Sequence, residues 1–290
     1  ESSNNVKATG YIWQKYTRGL HDSVQKGFII PEAESSNLTE AYRAVKDSVE
    51  TIGWYFEATL RQRFDYSKYP FDIQNIWFRL WHKEFEKNII LIPDLDSYPN
   101  FDPTKMPGID EHFTLPGWEL ENTFYSYNFN SYNTNFGISD YVGNHQFPEL
   151  YFNVFVKRTF VTNLVTDIVP ILLVLAIVFL TITVTYSESE QDFFRFNIME
   201  VLGLGAALLF VLTLSQYELR NKIISDHLLF IEYLYFLTYL SIFWVITIGM
   251  LTRMGVELPV FIPQNRMSIK LLLLPVIAAC VFMAAILNFY

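Results

Sequence analysis

The chain changes texture near residue 160. Before it, hydrophobic and polar positions alternate in short runs. After it, apolar positions continue for some two dozen residues at a time. Alternation with a period of two predicts strands. Residues 6–18 (VKATGYIWQKYTR), 51–63 (TIGWYFEATLRQR), 73–85 (IQNIWFRLWHKEF), 118–128 (WELENTFYSYN) and 150–159 (LYFNVFVKRT) all read this way. The second and third are expected to pair around the turn Tyr66–Asp72, and the last two to form a hairpin with a long tip at 129–149. Residues 39–50 (TEAYRAVKDSVE) look locally helical. Residues 88–116 carry five prolines among many Asp and Asn, and read as loops with one short strand at Ile89–Ile92. Short strands punctuated in this manner predict an immunoglobulin-like β-sandwich over residues 1–160.

Four apolar stretches follow: Val161–Tyr186, Phe196–Ser215, Leu228–Leu251 and Ile269–Tyr290. Each is long enough to cross a bilayer core of about 30 Å, and Pro170 and Pro275 are tolerated in such helices. Residues 161–290 are therefore expected to form a four-helix transmembrane domain, with spans at about 161–186, 196–215, 228–251 and 269–290. An even number of spans after an exported domain places both ends outside the cell membrane. Flanking Lys and Arg are balanced between the two sides and do not decide the orientation.

The second span is semi-polar. Asn197, Val201, Leu204, Leu208, Val211 and Ser215 recur at steps of three or four and share one helical face. Such a face can line a pore with a dry constriction in its middle; it can equally be a buried stripe packed on neighbouring helices. Glu200 and Glu232 lie within spans, where a charge faces protein or water, either at a pore or in a structural hydrogen bond.

Composition excludes several functions. The net charge of −9 argues against a nucleic-acid partner. The single cysteine, Cys280, permits no intrachain disulfide and no metal site built on several thiolates. The five histidines form no H-x-x-x-H or H-E-x-x-H pattern, and neither a G-x-S-x-G nor a glycine-rich phosphate loop is present. The chain therefore does not read as an enzyme, and no cofactor is expected. Asp94, Asp96, Asp102, Asp110 and Glu111 crowd one loop region. They are candidate calcium ligands, or simply solvated loop acids, since their spacing does not match an EF-hand. Glu1 is expected to follow a removed leader or further upstream residues.

Three motifs in this order carry a resemblance. They are Tyr69-Pro70-Phe71-Asp72-Ile73-Gln74 with Asp65 before it; Arg158 followed by Pro170; and Trp118 leading into an aromatic-tipped hairpin. With four spans after a sandwich, the chain resembles the pentameric ligand-gated ion channels (the Cys-loop receptor superfamily) in their bacterial form. The cysteines that name the animal members would fall at Gln62 and Ile76, and the family's first strand has no counterpart. The resemblance implies a homopentamer, each chain meeting four further copies of itself in the lipid of the inner membrane. The second span would line a cation-conducting pore, with Asn197 as its inner polar ring and Leu204 as its central apolar ring. Glu188, Glu190 and Asp192 at the inner mouth are expected to draw cations. Coupling is expected to run through Tyr69, Pro70, Phe71 and Asp72 to Arg158 and to the segment holding Arg220 and Lys222. Trp118, Tyr125, Tyr127, Tyr132, Phe136 and Tyr141 are candidates to hold a ligand, for instance an organic cation. Calcium, as a modulator, and protons are competing stimuli. A membrane-anchored sensor that assembles without conducting is the alternative.

Overall fold

The computed structural model describes residues 5–87, 89–98, 102–110, 112–139, 141, 147–185, 198–253, 279–281, 283, 285 and 286. The chain divides into two compact units. One is Ser3–Phe64 with Ile73–Lys157; the other is Asp65–Asp72 with Arg158–Tyr290.

The first unit holds two antiparallel sheets in a sandwich-like arrangement. In one, β1 (Asn5–Thr17), β4 (Val49–Arg61) and β3 (Ala33–Lys46) lie in the order β1-β4-β3. In the other, β2 (Phe28–Ile29), β5 (Ile73–His82), β7 (Phe147–Arg158) and β6 (Trp118–Asn130) lie in the order β2-β5-β7-β6. Along β4 alternate residues turn inward, as the pleat requires, whereas β3 is exposed over most of its length. Phe28, Ile30, Phe56, Ala58 and Leu60 are buried, with Phe78 and Leu80 packed on them. The Phe56 and Phe78 rings, 6.3 Å apart and steeply inclined, join β4 to β5 and hence one sheet to the other.

Three expectations are corrected. Residues 39–50 are not helical: β3 runs through them and turns at Asp47, which takes φ 53°, into β4. Pairing with β4 overrides the local helical pattern. Arg43 reaches both Glu40 and Glu50, and the Tyr42 ring lies over Gly53 so closely that a Cβ there would sit 2.0 Å from it. Next, β4 and β5 do not pair, because the segment between them leaves the sheets and each strand joins a different one. Finally, no strand forms at Ile89–Ile92; that stretch is irregular, with a 3-10 turn following at Leu95–Ser97.

The second unit is helical. α1 (Phe160–Asn163), a π-helical turn (Leu164–Ile168) and α2 (Val169–Thr185) run on as one helix; α3 (Ile198–Lys222) and α4 (Phe230–Arg253) follow. Among the described residues, three stretches are long and apolar enough to cross a membrane. These are Phe160–Ile182, Met199–Lys222 and Phe230–Thr247, with mean hydropathies of 2.7, 1.7 and 1.5. Most of the expected fourth span lies outside the described residues. The π turn has a local cause: Pro170 has no N–H to give to the Thr166 carbonyl, so the ladder widens just before it. Ile171, Val174 and Val178 of α2, Leu212 and Leu219 of α3, and Ile231, Tyr235 and Ile242 of α4 form the core of the unit.

Candidate functional site

The loop Asp65–Asp72 joins β4 to β5 in sequence but belongs to the helical unit. Asp65 accepts the Ser67 N–H at 2.9 Å, fixing the first turn. That bond holds the Asp65 carboxyl below its usual range. The Tyr69–Pro70 peptide is cis. From this frame three side chains reach outward. Asp72 receives a two-pronged contact from Arg158, at 2.7 Å from Nε and 3.1 Å from Nη2. The two side chains are only 1% and 4% exposed, so each neutralises a charge that water does not reach. The Tyr69 ring lies 4.9 Å from the same guanidinium.

Tyr69 itself is fully buried. Its hydroxyl makes a short hydrogen bond to Asp167 in the π turn and lies 3.0 Å from Asn163 Oδ1 in α1. Lys222, at the end of α3, brings its ammonium within 3.3 Å of the Tyr69 hydroxyl and 3.4 Å of Asp167. Burial, then the Asp167 carboxylate, pushes the Tyr69 phenol well above its ordinary range, so it acts as a donor. Phe71 stacks on Phe160 at 5.2 Å and leans on Phe230 at 6.1 Å. The Phe230 N–H donates to the Ser67 carbonyl at 2.8 Å. One eight-residue loop is thus tied to the start of the first span, the end of the second and the start of the third.

The turn between α3 and α4 is clamped separately. Arg220 donates to Glu232 through Nε at 2.6 Å and through Nη2, and to the Ser225 carbonyl at 3.0 Å. Glu232 also accepts the Leu229 N–H at 2.9 Å. Glu232 therefore sits in the first turn of α4 as part of the clamp. Glu200 is exposed in the first turn of α3.

The α3 stripe expected to line a pore is mostly turned inward within the chain. Val201 and Leu208 are each 8% exposed, Leu204 packs against the helical core, and Ser215 shares a 2.8 Å hydrogen bond with Tyr235. Only Val211 of the described set is half exposed. Gly205 is the cause: a Cβ there would meet Ile246 of α4 at 2.5 Å, so the two helices close tightly on that side. The face left open carries Gly203, Ala207, Phe210, Leu214 and Tyr217. Asn197, Glu188, Glu190 and Asp192 lie outside the described residues.

The expected ligand-binding aromatics divide into two groups. Tyr132, Phe136 and Tyr141 gather around Trp81 and Phe85, with ring centres 5.2–6.1 Å apart. The tip turns at Phe136 and Gly137, both at positive φ, with Asn135 accepting the Gly137 N–H. Behind the rings, Arg79 is paired with Glu32 and lies 3.2 Å from Glu149. Tyr132 donates to Glu149 at 2.6 Å. Burial raises the Glu32 carboxyl despite Arg79, and burial followed by the bond to Glu149 raises the Tyr132 phenol. Trp118, Tyr125 and Tyr127 lie elsewhere on β6. Tyr125 meets Phe152 at 5.0 Å, and Tyr127 donates to the Leu91 carbonyl at 2.8 Å. Trp81, Phe85, Arg79 and Glu149 escaped the sequence reading. An arginine between aromatics in a strand pattern, FRLWH, was the signal for a buried cation needing partners.

The loop acids are not brought together. Asp94 accepts from Trp13 at 2.8 Å and pairs with Lys15 at 2.6 Å. Asp102 and Asp110 bond to Thr104 and to the His112 N–H. Among the described residues no three His, Cys, Asp or Glu side chains are placed to hold a metal ion. Glu111, the fifth of these acids, lies outside the described residues. Compared with known proteins, the chain matches no family model and no curated protein.

Proposed function

We propose that this chain is one subunit of a homopentameric ligand-gated ion channel. The observation that carries the reading is the loop Asp65–Asp72. It is spliced between two strands of different sheets, yet Tyr69 bonds to Asp167 and Phe71 packs on Phe160 in the helices, and Asp72 pairs with Arg158 at the end of β7, just before the first helix. A shift of β4 or β5 pulls on that loop, and the loop holds Asp167 of the first span and Lys222 of the second. Five as the number of copies comes from the sequence resemblance.

A pore built from copies of α3 must use a face that the subunit leaves free. That face is Gly203, Ala207, Phe210, Leu214 and Tyr217, one step around the helix from the stripe read in the sequence. Phe210 then takes the place of the dry constriction. The acids at 188, 190 and 192 favour cations at the inner mouth. The ring cluster of Trp81, Phe85, Tyr132, Phe136 and Tyr141, backed by Arg79 and Glu149, is the candidate stimulus-sensing surface.

The test is current across a bilayer holding the purified protein in a NaCl gradient, with pH, calcium and organic amines varied. Stimulated current reversing near the sodium potential supports the proposal. Reversal near the chloride potential retains the channel and removes cation selectivity. Stable pentamers that pass no current under any stimulus favour the non-conducting sensor.

A further inference from the structure

The two sheets of the first unit do not close on each other along their whole length. A cavity of about 1060 Å³ lies between them, at the large end of small-molecule sites, which run from about 300 to 1,000 Å³. Its walls are inward positions of β1, β5 and β7, among them Ala8, Ile12, Phe78, Leu80, Phe152 and Val154. A hollow lined mainly by apolar side chains offers water few partners over most of its wall.

The lining is mainly apolar, with polar groups such as Gln14, Tyr16, His82 and Tyr98 among it. His82, the last inward residue of β5, is 3% exposed. Its Nδ1 accepts the Glu84 N–H at 3.0 Å. Burial holds the imidazole below its ordinary pKa, so the neutral ring carries its proton on Nε2. That Nε2 is buried without a partner among the described residues. The other polar groups on the inward side of β1 are satisfied. Gln14 bridges the Trp54 indole and the Gly27 carbonyl, and the Tyr16 hydroxyl accepts the Gly27 N–H. His82 lines the cavity, and its buried donor lacks an acceptor among the described residues. The charges that reach His82 are Glu84, Glu86 and Lys26, a net negative set that disfavours an anionic ligand head.

The cavity also has an apolar approach. Residues 89–98 border it, held to β1 by Trp13 and Lys15 on Asp94 and to β6 by Tyr127 on the Leu91 carbonyl. On that border Ile90 is 45% and Ile92 80% exposed. From Ile76 to His82, both on the lining, β5 rises about 20 Å, the length of a medium-to-long acyl chain.

We infer that the inter-sheet cavity binds an uncharged single-chain lipophile, its tail along β5 and β7 and an ester or ketone oxygen accepting from His82 Nε2. This does not depend on the helices forming a pore.

The test is photolabelling of the full chain in lipid nanodiscs with a diazirine-bearing long-chain methyl ester, followed by peptide mapping. Label is expected on the inward residues of β5 and β7. Methyl dodecanoate should compete about fivefold better than tridecane, the value of one hydrogen bond. His82→Phe should abolish that difference, and His82→Gln, which keeps a donor, should retain it. Val154→Trp and, separately, Ile76→Trp should remove label from the sandwich. Label confined to the helices overturns the inference. So does equal competition by ester and hydrocarbon, or an ester preference that survives His82→Phe.

Discussion

The Tyr69 hydroxyl, carried on a loop between two β-strands, donates to the Asp167 carboxylate in the π turn of the first span. Lys222 approaches the same carboxylate at 3.4 Å from the far end of α3. A phenol, a carboxylate and an ammonium from three segments meet at one point, the first two buried and the ammonium reaching in from a more exposed position. Tyr69→Phe and Asp167→Asn should each lower stability, and the double variant should lose less than the sum. A coupling energy of about 1–3 kcal/mol is expected from a double-mutant cycle on thermal unfolding. In current recordings, Tyr69→Phe should move half-activation to higher stimulus. Strict additivity together with unchanged activation would show that the bond transmits nothing.

The Asp72–Arg158 pair answers to a different rule. Both partners are buried, so deleting one strands the other. Asp72→Ala should cost about 3–5 kcal/mol, and the double variant Asp72→Ala with Arg158→Met should recover most of the loss. Yield of folded protein by size-exclusion chromatography reads this directly. A double variant as damaged as the single one would mean that Arg158 has a second task of equal weight.

On α3, cysteines introduced one at a time into a Cys280→Ser background will report which face meets water. Reaction with a small charged thiol reagent is expected at Gly203, Ala207, Phe210 and Leu214. Protection is expected at Val201, Leu204, Leu208 and Leu212, which lie toward the helical core. Phe210→Thr should ease opening, because it replaces an apolar ring with hydroxyls, whereas Leu204→Thr should chiefly weaken packing. The reverse pattern of reactivity would return the pore to the Leu204 stripe.

His82 makes stability depend on pH. Its folded pKa lies below the usual 6.5, so the unfolded chain binds the proton more readily. Its contribution is present above pH 6.5 and is lost as pH falls through the folded value, with a slope of at most about 1.4 kcal/mol per pH unit. The midpoint of thermal unfolding, followed by tryptophan fluorescence, should therefore fall more steeply on acidification from pH 6.5 in the unmodified chain than in His82→Gln. Parallel curves would place the acid sensitivity elsewhere.

The parts legible in the sequence were those where residue type dictates conformation. Proline and aspartate marked the Tyr69–Asp72 loop, alternation marked β1, β4, β5, β6 and β7, and unbroken apolar runs marked three spans. What stayed hidden needed a partner to decide it. Residues 39–50 carry a helical pattern, and only the pairing with β4 makes them a strand. On α3, Val201–Leu208 and Phe210–Leu214 are equally greasy, and nothing in their periodicity tells inside from outside. The deciding residue is Gly205, through its close approach to Ile246. The loop acids looked like one cluster because they are near in sequence, yet Asp94 is claimed by Trp13 and Lys15 from more than seventy positions away.

The loop Asp65–Asp72 also determines how the protein can be dissected. No single cut in the chain separates its two units, because the second borrows eight residues from the middle of the first. A soluble fragment ended at Lys157 would keep those eight residues and lose everything they bind. Tyr69 and Phe71 would be bared to solvent, and Asp72 would lose Arg158. Such a fragment should be sticky, and replacing residues 65–72 with a short polar linker is the change that should make it well behaved.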